Sequence, residues 1–222
     1  MSHDDFAFEP VRGLPALLPA GERLLWQGCP QWSSLAVRAY HVRKVAVYFS
    51  ALVLWRIGVG LYNSQSASAV AISCAFLLLL GGIAIGVLSL LAYLTARETV
   101  YSITSRRILL RHGVAVPMTM NIPFTAIETA GLRNFTDGTG DVAIQVMGDH
   151  RVGYLITWPH LRPGRITRPQ PSFRALADAG QAAGILAEAL KADAGIAAVR
   201  IESQEEPATG ASGVRPRAAA AA

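Results

Sequence analysis

The sequence predicts a membrane-anchored protein in which a two-helix transmembrane hairpin precedes a small cytoplasmic β-barrel, of α+β or all-β class, with a C-terminal capping helix. Two long apolar runs in the first half of the 222-residue chain and short alternating segments in the second half indicate this class. Charged residues make up only 16% of the chain and hydrophobic residues 52%. This composition excludes a mainly disordered chain and argues against a wholly soluble protein.

The chain begins with a lead-in, residues 1–44, that is expected to lie on the cytoplasmic side of the membrane. It contains a short amphipathic segment at Glu22–Gln27. Its opening residues, MSHDDFAFEP, contain no apolar core before a cleavage site, so we expect no signal peptide. Regular structure is expected to break at the prolines of this region, Pro10, Pro15, Pro19 and Pro30.

Residues 45–96 are predicted to form the hairpin. Its two apolar runs, Val45–Tyr62 and Ala69–Ala96, are comparable to or longer than the about 20 residues with which a helix crosses a bilayer core. The first run contains one charged residue, Arg56, whose side chain we expect to reach the outer interface beside Tyr62. The alternative for this arginine is a role in an ion or proton pathway.

Basic residues stand at both ends of the hairpin, whereas its connecting loop, residues 63–68, carries no charge. By the positive-inside rule, both termini are then cytoplasmic and the protein crosses the membrane more than once. The residues expected to meet anionic lipid at this interface are Arg38, Arg43, Lys44 and Arg97.

The second apolar run contains a GxxxG motif at Gly82 and Gly86. Two glycines four residues apart on one helix face allow another helix to approach closely. The motif predicts either packing against the first helix of the same chain or docking, onto a second copy as a homodimer or onto another membrane protein.

Residues 97–200 are predicted to form the barrel and its capping helix, and residues 201–222 a disordered tail. Leucine and alanine at helical spacing place that helix at Ala175–Val199. Turn-forming glycine, proline and aspartate residues separate short alternating segments upstream. The predicted strands are Val100–Thr104, Arg107–His112, Met118–Ile122, Ala126–Leu132, Val142–Met147 and Val152–Trp158.

The segment that opens the barrel resembles the start of bacterial pleckstrin-homology-like (PH-like) domains. Its pattern is Arg97-Glu98-x-x-Tyr101-x-Ile103-Thr104-x-Arg106-Arg107-Ile108, with Gly113 at its end. Members of this group also tend to carry a stretch before the first membrane helix that is similar to Gly21-Glu22-Arg23-Leu24-Leu25-Trp26-Gln27-Gly28-Cys29-Pro30. The resemblance covers residues 20–190 and implies a hairpin followed by a PH-like barrel.

A narrower resemblance is to the PuhB family of purple bacteria. It rests on Trp158-Pro159-His160-x-Arg162-Pro163, Arg168-Pro169-x-Pro171 and Arg174, although Gly164 stands where a bulkier residue is expected before Arg165. The family, encoded near the reaction-centre H subunit, implies a chaperone-like assembly factor of the inner (intracytoplasmic) membrane. It implies photosynthetic reaction-centre or core-antenna subunits as partners, and no place in the finished complex.

The best candidate site is the arginine-rich segment Leu161–Arg174, which contains no acidic residue. Its prolines favour an extended polyproline backbone that repeats every three residues, so its four arginines are expected to face one way, like a comb. Such a comb suits carboxylates or phosphates. The candidate partner contacts are His160, Arg162, Arg165, Arg168 and Arg174.

A solvated loop is the alternative for this segment. As a site, it favours an acidic protein surface over lipid headgroups, and nucleic acid is not expected because no recognition helix or stacking platform accompanies the arginines.

No catalytic motif is present, so an enzyme is not expected. Cys29 and Cys74 form no metal-ligand pattern, and no metal or cofactor is expected. A bacteriochlorophyll contact by His41 or His160 is the alternative, and His160 is otherwise expected in a turn.

Two other functions compete with assembly. One is a generic PH-like membrane protein that binds lipid headgroups or peptides in envelope stress or lipid sensing. The other is a transporter or enzyme component, which the scarcity of polar residues in the apolar runs disfavours.

Overall fold

The computed structural model describes residues 12–114, 116–147, 153–165 and 167–193. They form a long helical hairpin and a barrel of two antiparallel sheets. The strands are β1 Leu24–Gly28, β2 Val100–Thr104, β3 Arg107–His112, β4 Met118–Pro123, β5 Ile127–Asn134, β6 Gly140–Val146 and β7 Ser172–Leu176. The helices are α1 Trp32–Arg38, α2 Val42–Tyr62, α3 Ala67–Glu98, α4 Tyr154–Thr157 and α5 Ala179–Ala192, with a 3₁₀ turn at Phe124–Ala126.

The barrel core lies between one sheet in the order β1-β2-β3-β4 and another in the order β5-β6-β7. Tyr101 of β2 stacks on Phe173 of β7 with ring centroids 4.6 Å apart, and both side chains are fully buried. Leu186 and Leu190 of α5 complete the same cluster. The predicted barrel and capping helix are therefore confirmed, with apolar faces of both sheets and the helix removed from water together.

The first strand of the barrel comes from the lead-in. β1 pairs antiparallel with β2, and Trp26 lies opposite Ile103. Trp26 is buried and stacks on Phe173 at 6.1 Å between ring centroids. The amphipathic segment of the lead-in is therefore a strand of the barrel with Trp26 in the core, and the hairpin is inserted between the first two strands.

An ion pair between the buried Glu22 and the half-buried Arg107 holds the residues before this strand against β3. Both carboxylate oxygens of Glu22 accept from Arg107, at 2.8 Å from Nε and 2.6 Å from Nη2. Thr104 donates its hydroxyl to the same carboxylate at 2.7 Å. These hydrogen bonds with Arg107 lower the pKa of Glu22, although burial opposes them.

The hairpin consists of α2 and α3, which are both long and apolar enough to cross a membrane. Their close packing uses Gly60 and Gly81: a Cβ at Gly60 would clash with Val70, and one at Gly81 would come within 2.9 Å of Phe49. By contrast, a Cβ at Gly82 or Gly86 would meet open space. The expectation that the GxxxG motif packs within the hairpin is therefore wrong, because these glycines face away from α2.

Arg56 lies between the two helices. Its Nη2 donates to the hydroxyl of Ser73 at 3.1 Å, and its Nη1 lies 3.3 Å from where a Cβ of Gly60 would be. The side chain thus extends toward the loop end of the hairpin, as expected, but it contacts α3 instead of accompanying the exposed Tyr62. A polar partner and the missing side chain of Gly60 accommodate the charge.

α1 connects the hairpin to the barrel. Leu35 is fully buried against Ala96 of α3 and Ala175 of β7. The Tyr40 hydroxyl lies 2.6 Å from the hydroxyl of Thr95, the residue before Ala96. α3 contains 32 residues, about 48 Å of helix, whereas a hydrocarbon core is about 30 Å thick. α3 is therefore longer than a helix needs to cross such a core, and β2 begins two residues after its end.

Two predicted elements differ in the region after β6. The strand predicted at Val152–Trp158 is wrong: Tyr154–Thr157 is a helical turn, closed by the Thr157 N–H on the Gly153 carbonyl at 3.1 Å. Pro159 cannot continue the helix because it lacks an N–H. The capping helix begins at Ala179 and not at Ala175, because Ser172–Leu176 pairs with β6 as β7. Residues 194–222, including the tail predicted to be disordered, lie outside the described residues.

Candidate functional site

The arginine-rich segment is a closed loop and not an extended comb. Leu161 and Pro171 form an isolated antiparallel bridge, and the Arg162 N–H donates to the Gln170 carbonyl at 2.9 Å. The loop turns at Gly164, whose φ of +82° favours glycine. The polyproline expectation is therefore wrong, because the two ends of the segment pair with each other and reverse the chain.

The loop arginines differ in exposure. Arg165 and Arg168 are exposed, whereas Arg162 is half-buried. Arg162 Nη1 donates to Gln170 Oε1 at 3.3 Å, and Gln170 Nε2 donates to Gln145 Oε1 of β6 at 3.1 Å. This chain of amides holds Arg162 against the sheet, whereas Arg165 and Arg168 are exposed.

Arg174 is buried in β7 and does not belong to the exposed set. Its Nε lies 2.9 Å from Asp141 Oδ2 in an ion pair, and its Nη1 donates to the Leu161 carbonyl at 2.8 Å. The remaining Asp141 oxygen accepts from the Ala175 N–H at 2.8 Å. Arg174 therefore fixes the start of the loop to the sheet, and the expectation that it faces a partner is wrong because strand pairing turns it inward.

His160 lies in a turn, as expected, with its N–H on the Thr157 carbonyl at 2.8 Å, but it is fully buried, so the expectation that it contacts a partner is wrong. The Thr99 hydroxyl donates to the Thr95 carbonyl at 2.6 Å, so it accepts from His160 Nε2 at 3.2 Å. Nδ1 then carries no proton and accepts from the Tyr101 hydroxyl at 2.7 Å, which itself accepts from the Arg174 N–H at 3.1 Å. The network joins the end of α3 to β2 and β7 through a neutral imidazole.

Electrostatics favour that neutral form. Burial lowers the pKa of His160 well below its usual value, and His112 and Arg174 lower it further. The rings of His112 and His160 lie 5.3 Å apart, and burial also lowers the pKa of His112. His160 has both ring nitrogens engaged inside the barrel, which does not suit a partner or pigment contact; His41 is exposed at the start of α2.

A cleft of about 140 Å³ opens between the sheet β5-β6-β7 and the start of the loop. Its residues include Gly131 and Arg133 of β5, Asp141 and Ala143 of β6, Arg162 of the loop and Ser172 of β7. Arg133 was not among the residues predicted from the sequence. The alternation of β5 could have found it, because residues 131 and 133 share the face opposite to Leu132.

The turn beside this cleft carries a second ion pair. Arg38 Nη2 lies 3.2 Å from Asp137 Oδ2, and its guanidinium lies 3.4 Å from the centroid of the Phe135 ring. Although burial opposes the shift, hydrogen bonds from Thr139 and Arg38 lower the pKa of Asp137 to about 2. Arg38 therefore connects α1 to the barrel, and its expected contact with lipid is not what the structure shows.

The other basic residues at the helix ends remain accessible. Arg43, Lys44 and Arg97 are exposed. Arg97 lies 3.7 Å from Glu98, and its carbonyl accepts from Arg12. Trp32 of α1 packs edge-on against Tyr93 of α3 at 6.3 Å. Aromatic and basic side chains at one end of a hairpin are typical of a membrane–water interface.

The described strands and their capping helix define a PH-like domain. The model of the Bacterial PH domain family matches residues 46–190, more than half of the chain, and the chain belongs to this family. The match begins inside α2 and leaves out β1. The resemblance to bacterial PH-like domains is therefore confirmed.

A relative from Rhodobacter capsulatus is 38% identical over 193 residues, which cover 86% of this chain and 90% of the relative. It is described as an uncharacterized 23.7 kDa protein in the puhA 5′ region. This similarity agrees with the narrower resemblance to the PuhB family. No solved structure matches the chain.

Proposed function

We propose that this protein is a membrane-anchored assembly factor that promotes assembly of the photosynthetic reaction centre and core antenna through its PH-like domain. The observation that carries the proposal is the 38% identical relative, whose description places it in the puhA 5′ region. The PuhB family, which the chain resembles, is encoded near the reaction-centre H subunit. A relative encoded in that region supports a role in photosynthesis over general lipid sensing.

The architecture suits a chaperone-like role at the membrane. The hairpin anchors the barrel, with both termini on the cytoplasmic side of the inner (intracytoplasmic) membrane by the positive-inside rule. Arg43, Lys44 and Arg97 then contact anionic lipid. Confinement to one membrane raises the effective concentration of newly inserted subunits, so a modest affinity is sufficient.

The docking face is the closed loop that carries Arg162, Arg165 and Arg168. Two of these guanidinium groups are exposed and the third is held against the sheet. Guanidinium groups bind carboxylates through paired hydrogen bonds, which suits an acidic face on a subunit. The alternative is that this loop is only solvated and binds no partner.

The test is co-purification from phototrophically induced membranes. Replacement of Arg162, Arg165 and Arg168 by Ala should reduce recovery of reaction-centre and core-antenna subunits while the protein remains inserted. A matched control replaces Arg23, Arg106 and Lys191, which are exposed elsewhere on the domain, by Ala. Unchanged recovery with the first variant, or an equal loss with the control, would contradict the docking face.

The competing function is a PH-like membrane protein that binds lipid headgroups in envelope stress or lipid sensing. The exposed basic residues at the helix ends are the observation that favours it. If purified protein recovers no photosynthetic subunit from induced membranes, and deletion of the gene changes the response to envelope stress, this function replaces assembly.

A further inference from the structure

The floor of the cleft between β5, β6 and the loop is made of small residues. Strand pairing places Gly131, Ala143 and Ser172 in one row across the sheet. A Cβ built at Gly131 has no neighbour within 4 Å, so the hollow continues to the edge strand β5. The cleft measures about 140 Å³, well under the about 300–1,000 Å³ of small-molecule sites. It suits the head of one side chain and not a cofactor.

The charges around the cleft leave an excess of positive charge at its rim. Asp141 at the base is matched by Arg174 at 2.9 Å and by the Ala175 N–H. Arg133 is exposed, and its guanidinium lies 5.2 Å from the Phe135 ring, while Arg162 Nη1 contacts the neutral amide of Gln170. The two rim arginines therefore present donors to an incoming anion.

We infer that this cleft binds a side-chain carboxylate of an acidic segment on a partner protein, between Arg133 and Arg162. The inference rests on the proposed function, because it names the chemistry that the docking face recognises. Arginine is enriched among the residues that contribute most to binding at protein interfaces, and such residues commonly lie at pockets. Arg165 and Arg168 surround it and add long-range attraction.

A protein carboxylate fits the cleft better than a lipid headgroup. The basic residues at the helix ends, Arg43, Lys44 and Arg97, form a separate set, and none of them lines the cleft. The hollow is narrow and recessed, which admits a carboxylate on a flexible stem. The basic residues assigned to lipid are therefore separate from Arg133 and Arg162, which are assigned to the partner.

The test uses the detergent-solubilised full-length protein and a fluorescein-labelled hexaglutamate peptide, with binding followed by fluorescence anisotropy. Arg133→Gln with Arg162→Gln should weaken binding about tenfold or more, because charged hydrogen bonds are lost. Gly131→Val fills the hollow and keeps every charge; its side chain has open space, so the barrel should fold and binding should weaken to a similar extent. The charge-matched control, Arg23→Gln with Arg106→Gln, changes two exposed arginines elsewhere on the domain and should change the affinity less than about twofold.

Three results would overturn the inference: no binding by the unchanged protein, an equal loss in both double variants, or full binding by Gly131→Val. Vesicles of phosphatidylglycerol that displace the peptide, and lose binding in the same cleft variants, would assign the cleft to lipid instead. Because the assay contains no photosynthetic subunit, its failure is distinguishable from failure of the proposed function, which co-purification tests.

Discussion

The hairpin and the barrel use apolar side chains in opposite ways. In the barrel, Tyr101, Ile144 and Phe173 are fully removed from solvent. In the hairpin, only 6% of the most apolar window of either helix is buried within the protein. Helices satisfy their backbone hydrogen bonds internally and can therefore leave apolar side chains for lipid, whereas the barrel strands must gather theirs into one core. Apolar side chains therefore stabilise the barrel by packing together, whereas those of the hairpin are left on the protein surface.

The largest expected effect comes from the barrel core. Phe173→Ala removes a ring that stacks on both Trp26 and Tyr101, and it should lower the free energy of unfolding of the barrel by about 3–5 kcal/mol. The matched change in the hairpin is Leu79→Ala, at a side chain 62% exposed within the protein. It should change barrel stability by less than about 0.5 kcal/mol. Denaturant unfolding in detergent, followed by tryptophan fluorescence, measures both, and equal effects would remove the contrast.

The second prediction concerns the strand that precedes the hairpin. Glu22→Gln breaks the ion pair with Arg107 at 2.6 Å, and it should destabilise the barrel by about 1–3 kcal/mol because the half-buried Arg107 loses its charged hydrogen-bond partner. Glu98→Gln is the control, since its pair with Arg97 spans 3.7 Å at the surface and is worth at most about 1 kcal/mol. A stable Glu22→Gln variant would show that β1 contributes little to the barrel.

The third prediction distinguishes a glycine of α3 that faces α2 from two that face away from it. Gly81→Leu should disturb the hairpin by about 1–3 kcal/mol because its side chain meets Phe49. Gly82→Leu with Gly86→Leu should leave the hairpin intact and alter cross-linking between copies or with other membrane proteins. Disulfide cross-links between cysteines placed on α2 and α3 report the first effect. If Gly81→Leu preserves these cross-links, or the double variant leaves all intermolecular cross-links unaltered, the assignment of the two faces is wrong.

The smallest expected effect is on pH dependence. Burial lowers the pKa values of His160 and His112, and they are about 6.5 in an unfolded chain. Their contribution to stability is therefore complete above about pH 6.5 and is lost as the pH falls below it. Thermal unfolding between about pH 7.5 and about pH 5 follows this effect, because Glu22 and Asp137, whose pKa values are lowered, titrate below that window. Burial raises the pKa of Asp141, which acts in the opposite direction and makes the fall in stability smaller.

Two substitutions check the source of this pH dependence. His112→Gln should flatten the fall in melting temperature, whereas His41→Gln, at an exposed histidine, should leave it unchanged. A melting temperature that does not fall in the unchanged protein, or falls equally in both variants, would contradict buried neutral histidines.

The sequence predicts local elements well and long-range pairing poorly. The apolar runs and the strands at Val100–Thr104 and Arg107–His112 follow from local periodicity, and the structure places them there. Local patterning predicts only an amphipathic segment at β1, because the partner strand β2 lies beyond the whole hairpin. The sequence does not predict β7, because this strand of five residues overlaps the alanine- and leucine-rich pattern that predicts a helix from Ala175.

The candidate site shows the same division. Spacing alone predicted a comb of four arginines, but the bridge between Leu161 and Pro171 and the ion pair of Arg174 with Asp141 are contacts between distant residues. Those contacts turn Arg174 inward and leave Arg162 beside Arg133 at one cleft. Sequence patterns identified which residues carry charge, whereas tertiary pairing decides which of them face solvent together.

The most direct test of the assembly function is a near-infrared absorption spectrum of membranes from a strain that lacks this gene, grown under phototrophic induction beside its parent. The account predicts that the bands of the reaction centre and core antenna are lost or strongly reduced, while those of the peripheral antenna remain. Complementation with the native gene should restore them, and the Arg162, Arg165 and Arg168 variant should restore them only in part. A spectrum identical to that of the parent would contradict the assembly function, although the hairpin and barrel would stand.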